Sequence, residues 1–234
     1  MRRWIALGVG VFAVSVQASG DPELPVFVPP AAGQRVAFIG DSHSVGSFGQ
    51  EMDALLRARG ALVWTTAVCG SSPDWYFRDA QIQCGFFFRD SDGETERGTR
   101  GRLTPRLATL LETAKPDFTV VALGANLINL TPEYARRTTR PMVEAIAESE
   151  SRCVWVGPPH GRNKPKEKLD ALYVALRETT QDLCLFVDSR PYIHYPDTGG
   201  DGAHYDHLGP EGRRMAREWA QKVFTEAFGT LPAP

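Results

Sequence analysis

Short apolar runs alternate with segments of helical periodicity along most of this chain, and that alternation constrains the fold more than any other feature. Arg35 to Ile39, Leu62 to Val68, Phe118 to Leu123, Cys153 to Val156 and Cys184 to Val187 are rich in β-branched or aromatic residues, and several stop at glycine, as buried strands do. Gly49 to Arg59, Thr104 to Ala114, Thr131 to Ser149, Lys166 to Thr180 and Gly209 to Phe228 carry apolar residues at helical spacing, and Pro105, Pro132 and Pro210 stand where a first helical turn tolerates proline. Repetition of this kind implies parallel strands joined by right-handed crossovers, with helices on both faces. The predicted class is therefore α/β: a three-layer α/β/α domain on a doubly wound five-stranded parallel sheet of flavodoxin-like type. Ligands in such sheets sit beyond the carboxyl ends of the strands. Chemistry is expected just after Ile39, Val68, Leu123, Val156 and Val187.

The N-terminus lies outside this pattern. Arg2 and Arg3 precede an apolar stretch from Trp4 to Val16, and Val16-Gln17-Ala18 has the small-x-small form of a secretory cleavage site. Thirteen residues of helix reach only about 20 Å, short of the roughly 30 Å hydrocarbon core, so an export signal over residues 1–18 is expected rather than a membrane anchor. Residues 19–33, with Pro22, Pro25, Pro29 and Pro30, read as an extended leader, and residues 34–230 as one domain interrupted by an irregular insert at 70–102. A total of 26 Lys and Arg against 28 Asp and Glu leaves no basic surplus with which to hold a nucleic-acid backbone. An exported monomer, periplasmic or secreted, is the expectation.

Two strand ends carry groups suited to nucleophilic catalysis. After the first strand comes Gly40-Asp41-Ser42, which would lift a hydroxyl above the sheet edge with backbone N–H groups around it. Before the last helix comes Asp201-Gly202-Ala203-His204. A serine hydroxyl needs a base within about 3 Å, and that base needs an acceptor on its other ring nitrogen, which an Asp three residues earlier can supply within one turn. Either motif alone is also what an ordinary turn looks like.

Together with Gly70 after the second strand and Gly124-Ala125-Asn126 after the third, these blocks resemble, in order along the chain, those of the SGNH or GDSL-like hydrolases. The resemblance implies Ser42 as nucleophile, His204 as general base and Asp201 as its orienting acid, with an oxyanion hole formed by the N–H groups of Ser42 and Gly70 and the side-chain amide of Asn126. Three departures stand out. Leu127 occupies a position where the family commonly has aspartate. His207, beside Asp206, is an alternative base. The insert carries Trp75, Tyr76, Phe77, Phe86, Phe87 and Phe88, which read either as a wall of the substrate cleft or as a satellite core. His43 and His160 read as polar loop residues.

In an oxidising compartment the four cysteines should pair. Cys69 ends one strand, whereas Cys153 and Cys184 open two others at the opposite edge of the sheet. Bridging requires Cα atoms within about 7 Å, so Cys69 with Cys84 and Cys153 with Cys184 are the expected pairs. No Cys/His spacing matches a metal site, and neither metal nor cofactor is expected. The reading is a serine esterase acting on a small-molecule or polysaccharide ester, foremost an O-acetyl esterase of a carbohydrate. Alternatives are a lipase, lysophospholipase or thioesterase of the same mechanism, or a non-catalytic carbohydrate-binding or envelope protein on the hydrolase fold.

Overall fold

A computed structural model describes residues 30–231, so the expected signal at 1–18 and most of the leader lie outside the described residues. Five parallel strands form the centre of the sheet: β1 (Arg35–Gly40), β2 (Leu62–Val68), β5 (Phe118–Ala122), β6 (Arg152–Val156) and β7 (Cys184–Val187). Their spatial order is β2-β1-β5-β6-β7, the flavodoxin-like arrangement, with the direction of winding reversing at β1.

The sheet is larger than the five strands expected. Within the insert, β3 (Phe86–Arg89) pairs antiparallel with β2, and β4 (Thr95–Gly98) pairs antiparallel with β3, making seven strands. The Phe86-Phe87-Phe88 run is the signal for β3, although four residues show too little alternation to separate a strand from a local cluster. The hairpin is anchored through Asp53, which is 1% exposed. Its carboxylate accepts from Thr65 Oγ1 at 2.6 Å, Arg89 Nη1 at 2.6 Å and Arg57 Nε at 3.0 Å, joining helix, β2 and β3 around one buried charge.

Side-chain alternation on the strands builds two cores. Val36, Phe38, Val120 and Val154 face α2 (Ser47–Ala58) and α6 (Pro210–Phe228), meeting Phe48, Met52, Leu56, Trp219 and Phe224. Ile39, Val121 and Trp155 face α3 (Leu107–Ala114), α4 (Pro132–Glu148) and α5 (Lys166–Thr180), meeting Leu111, Met142, Ile146, Leu172 and Leu176. Among the described residues no helix is long and apolar enough to cross a membrane.

The four cysteines form two disulfides, Cys69–Cys84 and Cys153–Cys184. The second joins register partners on adjacent strands β6 and β7. The first ties the end of β2 to the start of the hairpin.

Candidate active site

The end of β1 feeds a single helical turn, α1 (Ser42–Val45), capped by Asp41, whose carboxylate accepts from the His43 N–H at 3.1 Å. Gly40 is required here by space: a Cβ would lie 2.0 Å from Ser44 Oγ. The turn presents Ser42 half-buried at the point where winding reverses. From the far end of the chain, the loop before a 3₁₀ turn (Tyr205–Leu208) brings in Asp201 and His204.

His204 Nε2 lies 3.0 Å from Ser42 Oγ, and His204 Nδ1 lies 2.6 Å from Asp201 Oδ2. A proton on Nδ1 donated to Asp201 leaves Nε2 as the acceptor facing the hydroxyl. Asp201 Oδ1 in turn accepts from the N–H groups of His204 at 2.7 Å and Ala203 at 2.9 Å. Partial burial works to raise the Asp201 carboxyl, but hydrogen bonds from the His204 ring and these two N–H groups outweigh it and hold the carboxyl well below the usual carboxylate range. A fixed negative charge thus stands behind the imidazole. His207 is placed differently: its Nδ1 lies 2.8 Å from the same Asp201 Oδ2, its ring centre 5.1 Å from that of His204, and it is 60% exposed.

Gly70 follows β2 with φ +80°, a conformation that favours glycine. Asn126, in a 3₁₀ turn (Ala125–Leu127) after β5, donates one amide hydrogen to Ser71 O at 2.8 Å, which orients the group and leaves its second hydrogen free. Among the described residues the N–H groups of Ser42 and Gly70 make no hydrogen bond. Leu127, where aspartate was the family expectation, is fully buried in the core under α4, so packing holds this turn and the Ser71 carbonyl directs the amide.

The aromatic insert divides. Tyr76, Phe86 and Phe87 are buried, and Tyr76 OH donates to Gly40 O at 3.1 Å, pinning the insert to the end of β1. Phe77 is exposed. Trp75 is half-buried against the turn after β2, its Cη2 standing 3.7 Å from where a Gly70 Cβ would be. His43 packs edge-on to Trp219, with ring centres 5.7 Å apart. Burial, together with nearby His204 and Lys164, pushes it down to about 3, so it is neutral at ordinary pH. His160 is structural: its carbonyl accepts from Tyr205 OH at 2.7 Å and its Nδ1 from the Tyr195 N–H at 3.3 Å.

Several supporting residues carry no motif of their own. Asp206 Oδ2 accepts from the Ser47 N–H at 2.8 Å, capping α2 from the loop that bears His204. Asn163 donates from its backbone to Gly202 O and from its side chain to Asp201 O, at 3.2 Å each. Tyr195 OH accepts from the Gly202 N–H at 3.1 Å. The acid of the Asp206-His207 pair was visible in the sequence; its partner, 159 residues away, was not.

The α/β/α sheet of this order is what the chain shares with a solved structure described as an SGNH hydrolase, so the resemblance read from the four sequence blocks holds at the level of the fold. No family model and no curated protein matches the chain. Solved structures do. LAE5, a hydrolase from the metagenome of Lake Arreo, is 16% identical at TM-score 0.59, covering 88% of this chain and all of its own. Axe2, an acetylxylan esterase from Geobacillus stearothermophilus solved as a catalytic mutant, is 15% identical at TM-score 0.58 over 84% of this chain and 96% of its own. TesA is 14% identical at TM-score 0.58 over 82% and 98%.

Proposed function

We propose that this chain is an exported serine esterase that removes acyl groups, foremost acetyl, from a carbohydrate. The observation that carries the reading is the line from Ser42 Oγ through His204 to Asp201, at 3.0 and 2.6 Å. In the proposed reaction Ser42 Oγ attacks the ester carbonyl while its proton passes to His204 Nε2, and Asp201 stabilises the resulting imidazolium. The oxyanion is held by the N–H groups of Ser42 and Gly70 and the free amide hydrogen of Asn126. Collapse expels the alcohol, which takes the proton from His204. Water, activated by the same imidazole, then releases the acid from the acyl-serine.

The fold shared with an acetylxylan esterase supports the acetyl reading, and the half-buried Trp75 beside Gly70 supplies an aromatic side chain of the kind that contacts sugars. Burial of Phe86 and Phe87 leaves only Phe88 of the three phenylalanines partly exposed, which favours the carbohydrate over the lipolytic reading. A non-catalytic binding role has no need of the aligned line of hydrogen bonds. Two disulfides suit an oxidising compartment and so support export.

The test is a panel of p-nitrophenyl esters of increasing acyl length beside acetylated xylan and O-acetylated peptidoglycan. Wild-type protein should release acetate from at least one acetylated glycan and cleave short p-nitrophenyl esters better than long ones. Ser42→Ala should lose about 10⁴- to 10⁶-fold in kcat. His204→Ala should fall comparably, and His207→Ala much less. Unchanged activity in Ser42→Ala removes the mechanism; a steep rise with acyl length replaces the carbohydrate with a lipid.

A further inference from the structure

Asp201 is flanked by two imidazoles, of which the proposed reaction uses one. One nitrogen each from His204 and His207 and one oxygen of Asp201 lie within 4.8 Å of one another. Both Nδ1 atoms converge on a single carboxylate oxygen, at 2.6 Å for His204 and 2.8 Å for His207. The His204 contact is an aligned hydrogen bond, whereas the His207 contact is a close approach of its nitrogen to the same oxygen without that alignment, so turning the His207 nitrogen toward an ion breaks no second aligned bond. All three side chains are partly or largely exposed, which leaves an approach open from solvent.

Two imidazole nitrogens and a carboxylate oxygen on one side, with solvent on the other, form the donor set of a Zn²⁺ site with an open position. The ligands need to move apart only modestly to stand about 2.0 to 2.2 Å from a common ion. We propose that Asp201, His204 and His207 bind a divalent transition-metal ion of the Zn²⁺ type, and that binding switches the esterase off. The binding half stands on the cluster alone; the inhibitory half rests on the proposed serine mechanism.

The chemistry of inhibition follows from the tautomer. A metal at Nδ1 takes the lone pair of that nitrogen, so the one proton of the neutral His204 ring resides on Nε2. That N–H then points at Ser42 Oγ, 3.0 Å away, as a donor. No acceptor remains for the serine proton, and Asp201, coordinated to the metal, no longer supports an imidazolium. His207 takes no part in the proposed reaction coordinate. Its contribution is to turn a catalytic Asp-His pair, which offers two ligands, into a set of three.

The test uses the full exported chain, with Zn²⁺ titrated calorimetrically and Co²⁺ as an optical probe, in wild type, Ser42→Ala, His207→Ala and His207→Asp. Wild type and Ser42→Ala should bind one Zn²⁺ with similar affinity, and Co²⁺ should give the intensified visible bands of a low-coordinate N/O site. Losing groups that merely support ligands weakens metal binding about 10- to 100-fold, so His207→Ala should lose at least about tenfold. His207→Asp, which keeps a ligand atom there, should retain part of the affinity and shows that the loss is not misfolding. In wild type and the two His207 variants, ester hydrolysis with and without Zn²⁺ is compared as a ratio. Wild type should fall to under a tenth and recover with chelator, whereas His207→Ala should need correspondingly more metal. Absence of Zn²⁺ binding in wild type and Ser42→Ala, or equal affinity in His207→Ala, overturns the site. Binding without any change in the hydrolysis ratio overturns the switch and keeps the site. Should the protein cleave no ester at all, calorimetry still decides the site, so the two readings fail separately.

Discussion

At the scale of single residues, the site depends on groups whose orientation is set by neighbours they do not react with. Asn126 is exposed, and an exposed amide has rotational freedom to lose, yet its bond to Ser71 O holds one hydrogen and thereby aims the other. Under the proposed mechanism Asn126→Ala should lower kcat about 100- to 1,000-fold with little change in KM, because the donor matters only once the carbonyl oxygen has become an oxyanion. A change confined to KM would place Asn126 in ground-state binding instead. Asp41 makes a prediction of a different kind. Burial pushes its carboxyl up to about 6, against the pull of backbone N–H groups at His43, Ala125 and Gly124 and of nearby His204. A carboxyl held above its unfolded value binds its proton more tightly in the folded state, so this stabilisation is full below about pH 4 and is lost as the pH rises through 6. Two pH units correspond to about 3 kcal/mol. Urea unfolding of wild type and Asp41→Asn between pH 4 and 7 should show their difference moving in the variant's favour by up to that amount; a constant difference means that Asp41 does not titrate in this window.

At the scale of elements, strands and helices were legible and their fastenings were not. The five parallel strands and the helices from 132 and 166 follow directly from apolar runs, proline-led openings and glycine stops, because those signals are local. The hairpin was illegible because its stability comes from Asp53, on a helix more than thirty residues earlier, gathering Arg89 and Thr65. Asp206 shows the same limit at the site. Its carboxylate caps α2 by accepting from Ser47, and Gly46 is the residue that admits it, since a Cβ there would lie 1.9 Å from Asp206 Oδ2. The cap therefore fastens the loop bearing His204 to the helix that follows Ser42. Asp206→Ala should cost about 1 kcal/mol, as loss of a helix cap typically does, which in a chain of this size is a fall in Tm of about 2 to 4 °C. It should also lower kcat, because the His204 loop loses a tether. Asp206→Asn, which keeps an acceptor oxygen, should recover most of both. A stability loss with kcat untouched would mean that the remaining contacts of Tyr195 and Asn163 fix the loop unaided.

At the scale of the whole molecule, the two disulfides sit at opposite ends of the strands, and this separates stability from activity. Cys153–Cys184 links the beginnings of β6 and β7, away from the carboxyl ends where Ser42, Gly70 and Asn126 gather. Cys69–Cys84 closes the loop that carries Trp75 and Tyr76, and Cys84 Sγ lies 3.6 Å from where a Gly70 Cβ would stand. Both restrict the unfolded chain, over 15 and 31 residues, which chain entropy converts to about 3 and about 3.7 kcal/mol. Their effects on catalysis should differ, because only the first braces a proposed oxyanion donor. Cys153→Ser with Cys184→Ser should lower the urea midpoint while leaving kcat within about twofold below the unfolding transition. Cys69→Ser with Cys84→Ser should lower the midpoint comparably and reduce kcat by about tenfold or more, because a Gly70 N–H released from this brace meets the oxyanion in a longer, less aligned and weaker hydrogen bond. Equal losses of kcat in the two pairs would mean that global stability limits activity. A loss confined to the first would locate the insert's function in holding Gly70 in place, which explains why an irregular segment is bound so tightly to the sheet through Tyr76, β3 and Asp53.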